Sequence, residues 1–110
     1  MSNEIFKSSS RSAGDLAGVF EADDVTAYFY LYAMRPGATP KVLGALNITR
    51  FVSGAPEKSI SINWDKDQGK CGVFINDNLI ALYDVGLLAE SDGKVGKYID
   101  KEIPATCVFS

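Results

Sequence analysis

The chain has no histidine. Within it, that excludes Ser-His-Asp and Cys-His nucleophile arrangements and any metal site that uses imidazole. Cysteine is sparse. Cys71 and Cys107 stand far apart and fit no paired metal-binding motif. Free thiols are the expectation, with Cys71 inside the core, and a disulfide between the two is the alternative. No glycine-rich loop has the spacing that cradles phosphate. No apolar run approaches the roughly 20 residues needed to span a bilayer, and the first twelve residues lack the apolar stretch of a signal peptide. The cytoplasm is therefore the expected compartment. The net charge of -3 disfavours nucleic acid and anionic membrane as partners. Nothing in the chain calls for a cofactor.

What is present is enough for one ordinary domain. The 110 residues are 46% hydrophobic and 23% charged, and a chain of this length buries roughly two thirds of its extended surface. Residues 1–14 are polar and end in Ser-Ala-Gly, which reads as a flexible N-terminal arm. Residues 15–110 read as a single β-rich domain. Two strand patterns come first, at 16–22 and 25–34, joined by Asp23-Asp24. A two-residue loop there pairs Phe20 with Ala27 and Gly18 with Phe29. One face then carries Leu16, Phe20, Phe29 and Leu31. The other carries Ala17, Val19, Tyr28, Tyr30 and Tyr32. Alternation of this kind belongs to strands. Residues 35–41 hold Pro36-Gly37 and Pro40 and read as a loop. A further strand is expected at 42–49 and a second loop at 51–58.

The clearest stretch runs from Ser59 to Asp84, and here register can be argued. A four-residue loop at 66–69 sets Asp65 opposite Lys70 and pairs Trp64 with Cys71, Ile62 with Val73 and Ile60 with Ile75. A three-residue loop instead sets Lys66 against Lys70 and Ile60 against Asn76. Cross-strand pairs contribute roughly 0.2–1 kcal/mol each, and a one-residue slip moves a whole strand to the wrong face. The four-residue loop is therefore preferred. The next turn uses Asp77-Asn78 or Asn76-Asp77, since both residue types tolerate positive φ. Either placement puts Ile60, Ile62, Trp64, Cys71, Val73, Ile75, Ile80 and Leu82 on the inner face. Ser61, Asn63, Phe74, Ala81 and Tyr83 fall on the outer one. Beyond Asp84 the pattern weakens to a turn or two of helix at 85–91, a turn at 91–94, an edge strand at 97–103 and a docked apolar tail at 106–109. The expected fold is mainly β: an antiparallel meander of about six to eight strands, curved or sandwich-like, with at most one or two short helices.

The candidate chemistry is thin. Asp65-Lys-Asp-Gln-Gly has the beginning of a calcium loop, but the position that needs a closing bidentate Glu is Asn76; a hairpin turn accounts for it. Glu21, Asp23 and Asp24 cluster at the first turn. Two carboxylates can do acid/base work when one is desolvated, but at a hairpin tip they read as solvated turn residues or as the acidic part of a binding surface. Tyr28, Tyr30 and Tyr32 form an aromatic stripe. It is either a second small core beneath the C-terminal segment or an interaction surface, where tyrosine is enriched. Trp64 and Cys71 read as core, and Cys107 has no identifiable base.

Two stretches, residues 19–30 (Val-Phe-Glu-Ala-Asp-Asp-Val-Thr-Ala-Tyr-Phe-Tyr) and Trp64 with Val-Phe-Ile-Asn at 73–76 and Ala-Leu-Tyr-Asp at 81–84, resemble a family of small uncharacterised bacterial proteins. Asp77 stands where that family usually has glycine, and the C-terminal third departs from it. The resemblance implies a fold and a bacterial origin, and brings no catalytic residue. The expected role is a non-enzymatic protein-binding module, one form of which is a toxin-neutralising immunity protein, with Glu21, Asp23, Asp24, Tyr28, Tyr30 and Tyr32 as its surface. The partner is a second protein or another copy of the chain. A small-ligand-binding β domain is the second reading. A carboxylate-dependent enzyme using Glu21, Asp23, Asp24, Asp65, Asp67 or Asp84 is the third.

Overall fold

The computed structural model describes residues 4–34, 41–52, 54–85, 95–104 and 109. Among these residues eight strands form two four-stranded antiparallel sheets, each a meander in chain order. The first sheet holds β1 (Ile5–Ser10), β2 (Leu16–Ala22), β3 (Ala27–Ala33) and β4 (Lys41–Asn47). The second holds β5 (Ile60–Trp64), β6 (Lys70–Ile75), β7 (Asn78–Asp84) and β8 (Gly96–Ile99). One helical turn, α1 (Thr49–Val52), and a short 3-10 turn at Glu57–Ser59 carry the chain between the sheets. A second 3-10 turn follows β8 at Asp100–Glu102. Among the described residues no helix is long and apolar enough to cross a membrane. The architecture is the mainly-β, sandwich-like one that strand alternation predicts.

The stretch read as an arm contains a strand. Residues 5–10 pair along β2 from Ile5↔Ala22 to Ser10↔Ala17. Its sequence, Ile-Phe-Lys-Ser-Ser-Ser, has no apolar alternation. Polar bonds to the opposite sheet hold it instead: Lys7 Nζ donates to the Ile60 carbonyl at 2.8 Å, and Trp64 Nε1 donates to the Ser9 carbonyl at 2.8 Å. The turn after β1 is fastened in the same way. Arg11 bonds Asp15 through both carboxylate oxygens, at 2.7 and 2.6 Å, and donates to the Gln68 carbonyl at 3.0 Å. The Gln68 amide oxygen accepts from the Ser12 N–H at 2.8 Å.

Each hairpin turn has a specific cause. Asp65 is 4% exposed because its carboxylate lies inside its own loop. Oδ1 accepts from the N–H groups of Gly69 and Lys70 at 2.9 and 3.1 Å, and Oδ2 faces Lys70 Nζ at 3.4 Å. The loop is the four-residue one. The pairs Ile60↔Ile75, Ile62↔Val73 and Trp64↔Cys71 follow as charge matching and apolar pairing require. Between β2 and β3 the loop is two residues, but it is Asp24-Val25 rather than Asp23-Asp24, closed by the Asp23 N–H donating to the Thr26 carbonyl at 2.9 Å. Asp23 Oδ1 accepts from the N–H groups of Val25 and Thr26, both at 2.8 Å, an arrangement that aspartate makes readily in turns. The register moves by two, so Phe20 faces Phe29 and Gly18 faces Leu31. Both faces keep their residues. Val25 leaves the strand and is 76% exposed.

The β6–β7 turn is Asn76-Asp77, with φ of 52° and 66°. Beyond it the pairing runs Phe74↔Leu79 and then Val73↔Ala81, so Ile80 is an extra residue in β7. That bulge reverses the expected faces of the remaining strand. Ala81 and Tyr83 turn into the core, wholly buried, and Leu82 lies on the outer face. There Phe109 meets Phe74 edge-on, 5.1 Å between ring centroids. β8 pairs with β7 from Ala81↔Ile99 to Asp84↔Gly96, so the expected edge strand is present but shorter. The helix expected at 85–91 and Cys107 fall mainly outside the described residues.

The sheets meet through a cross-strand row on each side. In the first sheet Gly18, Leu31 and Gly44 stand side by side on the inner face. In the second, Trp64, Cys71, Tyr83 and Lys97 do so. A methyl group placed on Gly18 would lie 2.4 Å from Cys71 Sγ. One placed on Gly44 would lie 2.6 Å from the Tyr83 ring. The two glycines are notches that receive Cys71 and Tyr83. Substitution there overpacks the core, which typically costs about 1–3 kcal/mol. Urea denaturation should show Gly18→Ala and Gly44→Ala each losing stability in that range. Gly69→Ala, with open space around it, should stay within about 0.5 kcal/mol of the parent. The loss at Gly18 should shrink in a Cys71→Ala background, and an undiminished loss would show that Sγ is not the obstacle.

Candidate functional site

Because side chains alternate along a strand, burying Phe29 and Leu31 commits Tyr28, Tyr30 and Tyr32 to the outer face of the first sheet. All three are half-buried. Tyr28 and Tyr30 stack with centroids 5.8 Å apart and planes 14° from parallel, and Tyr30 meets Tyr32 edge-on at 5.9 Å. Beneath them Ala17 and Val19, their partners on β2, are almost fully covered. Partial burial and the nearby Glu21 carboxylate hold the Tyr30 hydroxyl pKa above its ordinary value. The stripe does not lie under the C-terminal aromatic, since Phe109 packs on the other sheet.

Two residues that sequence patterning passes over complete this face. Phe6 on β1 is 64% exposed and Val42 on β4 is 49% exposed. Phe6 lies opposite Glu21, Glu21 opposite Tyr28, and Tyr28 opposite Asn47, in one row across four strands. At the other end of the stripe Val42 pairs with Tyr32. A groove of about 420 Å³ opens at the Phe6 end, with Glu4, Glu21, Asp23, Tyr28 and Tyr30 among its walls. A second groove, of about 350 Å³, lies across the β2–β3 turn and takes in Asp23, Asp24 and Val25. The expected surface residues are thus brought together in part. Glu21, Asp23, Tyr28 and Tyr30 share one groove, Asp24 borders the other, and Tyr32 continues the stripe.

The remaining acidic residues lie elsewhere. The Asp65 carboxylate is occupied by the N–H groups of its own turn. Asp67 is exposed on that turn, and Asp84 is on β7. Among the described residues no three His, Cys, Asp or Glu side chains gather as a metal site. The Asp23 carboxyl is held below the usual carboxylate range by the Thr26 and Val25 N–H groups. The space between the sheets is filled by Phe20, Phe29, Leu31, Ile60, Val73 and Tyr83, each at most 1% exposed.

The chain belongs to a family of uncharacterised proteins conserved in bacteria, DUF2251, whose match covers residues 1–89. The match takes in the whole first sheet and β5–β7, including the tyrosine face and the glycine notches, and ends before β8. No curated protein and no solved structure matches the chain.

Cys71 lies inside the interlock. Burial pushes its thiol pKa up to about 12, well above an ordinary thiol near 8.5, so it stays protonated where reactive cysteines are thiolates. The sign of the linkage follows. Above pH 8.5 the unfolded chain releases the Cys71 proton and the folded chain keeps it, so stability falls as pH rises, by up to about 1.4 kcal/mol per unit. Under reducing conditions, the parent should lose about 2 kcal/mol more than Cys71→Ala between pH 7 and 10. Urea midpoints at the two pH values measure this, and parallel losses would contradict it.

Proposed function

We propose that the protein is a non-enzymatic binding module of the bacterial cytoplasm, and that the outer face of the first sheet docks a basic protein partner. The observation that carries this reading is the tyrosine stripe of β3, bracketed by the exposed side chains of Phe6 and Val42. Apolar and aromatic groups that remain exposed together on a folded domain mark interaction sites more often than chance. Tyrosine is suited to the task because it offers a large rigid area with a polar tip. Charge selects the class of partner. Glu21, Asp23 and Asp24 border the stripe, among the described residues neither groove at that end is lined by Lys or Arg, and the chain carries -3 overall. An acidic rim accelerates encounter with a basic surface and repels acidic ones.

A photo-crosslinking side chain placed at Tyr32 in a bacterial cell that makes the protein tests this reading. The control position is Asn63, exposed on the outer face of the second sheet. The expected product is a single heterologous adduct at Tyr32, absent at Asn63 and weakened by added salt. Equal labelling at both positions would sink the proposal. So would an adduct with the mass of two copies of this chain, which would make the face a homodimer interface.

A further inference from the structure

The row Phe6–Glu21–Tyr28 has a more specific chemistry than a general docking face. Neighbouring strands lie about 4.8 Å apart, so the backbones of Phe6 and Tyr28 flank that of Glu21 on either side. All three point outward, directly opposite one another in register. Phe6 is an exposed phenyl ring with the Glu21 carboxylate as its cross-strand neighbour. Tyr28 stacks on Tyr30, its neighbour along the strand. Asp23 and Glu4 add two further carboxylates to the same groove of about 420 Å³, and the Thr26 and Val25 N–H groups favour the charged form of Asp23.

An aromatic ring attracts a cation over its face, and a carboxylate accepts from a cationic donor. The two together select a flat, delocalised cation that can stack and donate at once. Guanidinium meets both demands. It presents several N–H donors in a rigid planar fork, matches a carboxylate in two bonds, and is more weakly hydrated than an ammonium. A lysine ammonium can pair with Glu21 but cannot stack. An apolar side chain would leave the Glu21 carboxylate without compensation beside it.

We infer that this row is a socket for an arginine side chain of the protein partner. Phe6 and Tyr28 supply the ring faces, and Glu21 is the carboxylate that fixes the fork. The inference rests on the docking reading above and names the anchor within it. One arginine in an aromatic pocket, ringed by more tolerant contacts, is a common form of interface hot spot.

The probes are three synthetic peptides of identical glycine-serine frame carrying three arginines, three lysines or three citrullines. They are titrated into the intact protein and followed by calorimetry and by amide NMR. The arginine peptide should bind at least threefold more tightly than the lysine peptide, and the citrulline peptide should not bind. Shifts should centre on residues 6, 21 and 28. Phe6→Ala and Glu21→Gln should each weaken the arginine peptide about tenfold, whereas Val42→Ser, at the far end of the same face, should not. Equal affinity for arginine and lysine peptides with no effect of Phe6→Ala would reduce the site to diffuse charge and overturn the socket, as would absence of binding. The two readings fail separately. A Tyr32 adduct that survives Phe6→Ala and Glu21→Gln rejects the socket and keeps the docking face. Loss of the adduct in the parent protein rejects the docking face whatever the peptides do.

Discussion

The fit of Cys71 and Tyr83 into the notches at Gly18 and Gly44 fixes how the two sheets lie on each other. Tyr83 is wholly buried, and its hydroxyl donates to the Phe29 carbonyl of the opposite sheet at 2.6 Å. Its ring lies 4.9 Å from that of Phe29, between centroids. A buried hydroxyl left without a partner costs about 1–3 kcal/mol, so the sheets are held at the spacing and offset where this bond forms. Burial pushes the Tyr83 pKa far up, which keeps the donor protonated. Cys71 is the cross-strand neighbour of Tyr83, and Gly18 and Gly44 flank Leu31. A slip of either sheet by one residue would therefore drive two side chains into backbone at once. Interiors packed at crystal-like density do not accommodate such a slip.

This interlock was only half legible in the sequence. The β5–β6 register could be read, because a wrong register sets Lys66 on Lys70 and buries Asn76 against Ile60. The price of error is visible in residue types alone. The β6–β7 register could not be read. Ile80 and Leu82 are more apolar than Ala81 and Tyr83, so hydrophobicity points to the wrong pair as the inner one. The decision is made by the bulge at Ile80, which brings the Tyr83 ring against Gly44, more than 35 residues away in sequence. Between β2 and β3 the error was two residues and harmless to the faces. The turn sits one residue further along, at Asp24-Val25, because Asp23 closes it with its own N–H and carboxylate.

The binding face divides in the same way. The tyrosine stripe was legible, because Phe29 and Leu31 are apolar without a polar tip and parity sends Tyr28, Tyr30 and Tyr32 outward. Phe6 was not. Ile5 and Phe6 are adjacent and so lie on opposite faces, and the rest of β1 is lysine and serine. No period-two signal exists there. What makes the segment a strand is Lys7 reaching the Ile60 carbonyl and Trp64 reaching the Ser9 carbonyl, and neither donor is near its acceptor in sequence. Phe6 stands beside Glu21 through the β1–β2 ladder, and the bonds of Lys7 and Trp64 tie that strand to the opposite sheet.

Val42 reaches the face by a related route. Leu31 pairs with Gly44 and Tyr32 with Val42, so Leu43 is an extra residue in β4. Without that bulge, Leu43 would stand beside Tyr32 and point outward. With it, Leu43 packs on the core and Val42 takes the outer position. Each sheet thus carries one bulge close to the interlock, Leu43 next to Gly44 and Ile80 three residues before Tyr83. Both change which residue faces outward while leaving the notch row intact. A regular β4 and β7 would put Leu43 beside the tyrosines and Tyr83 on the outside of the second sheet. The first would widen the apolar face, and the second would leave the Gly44 notch without its ring. The bulges therefore decide together which side chains fill the core and which stand on the outer faces.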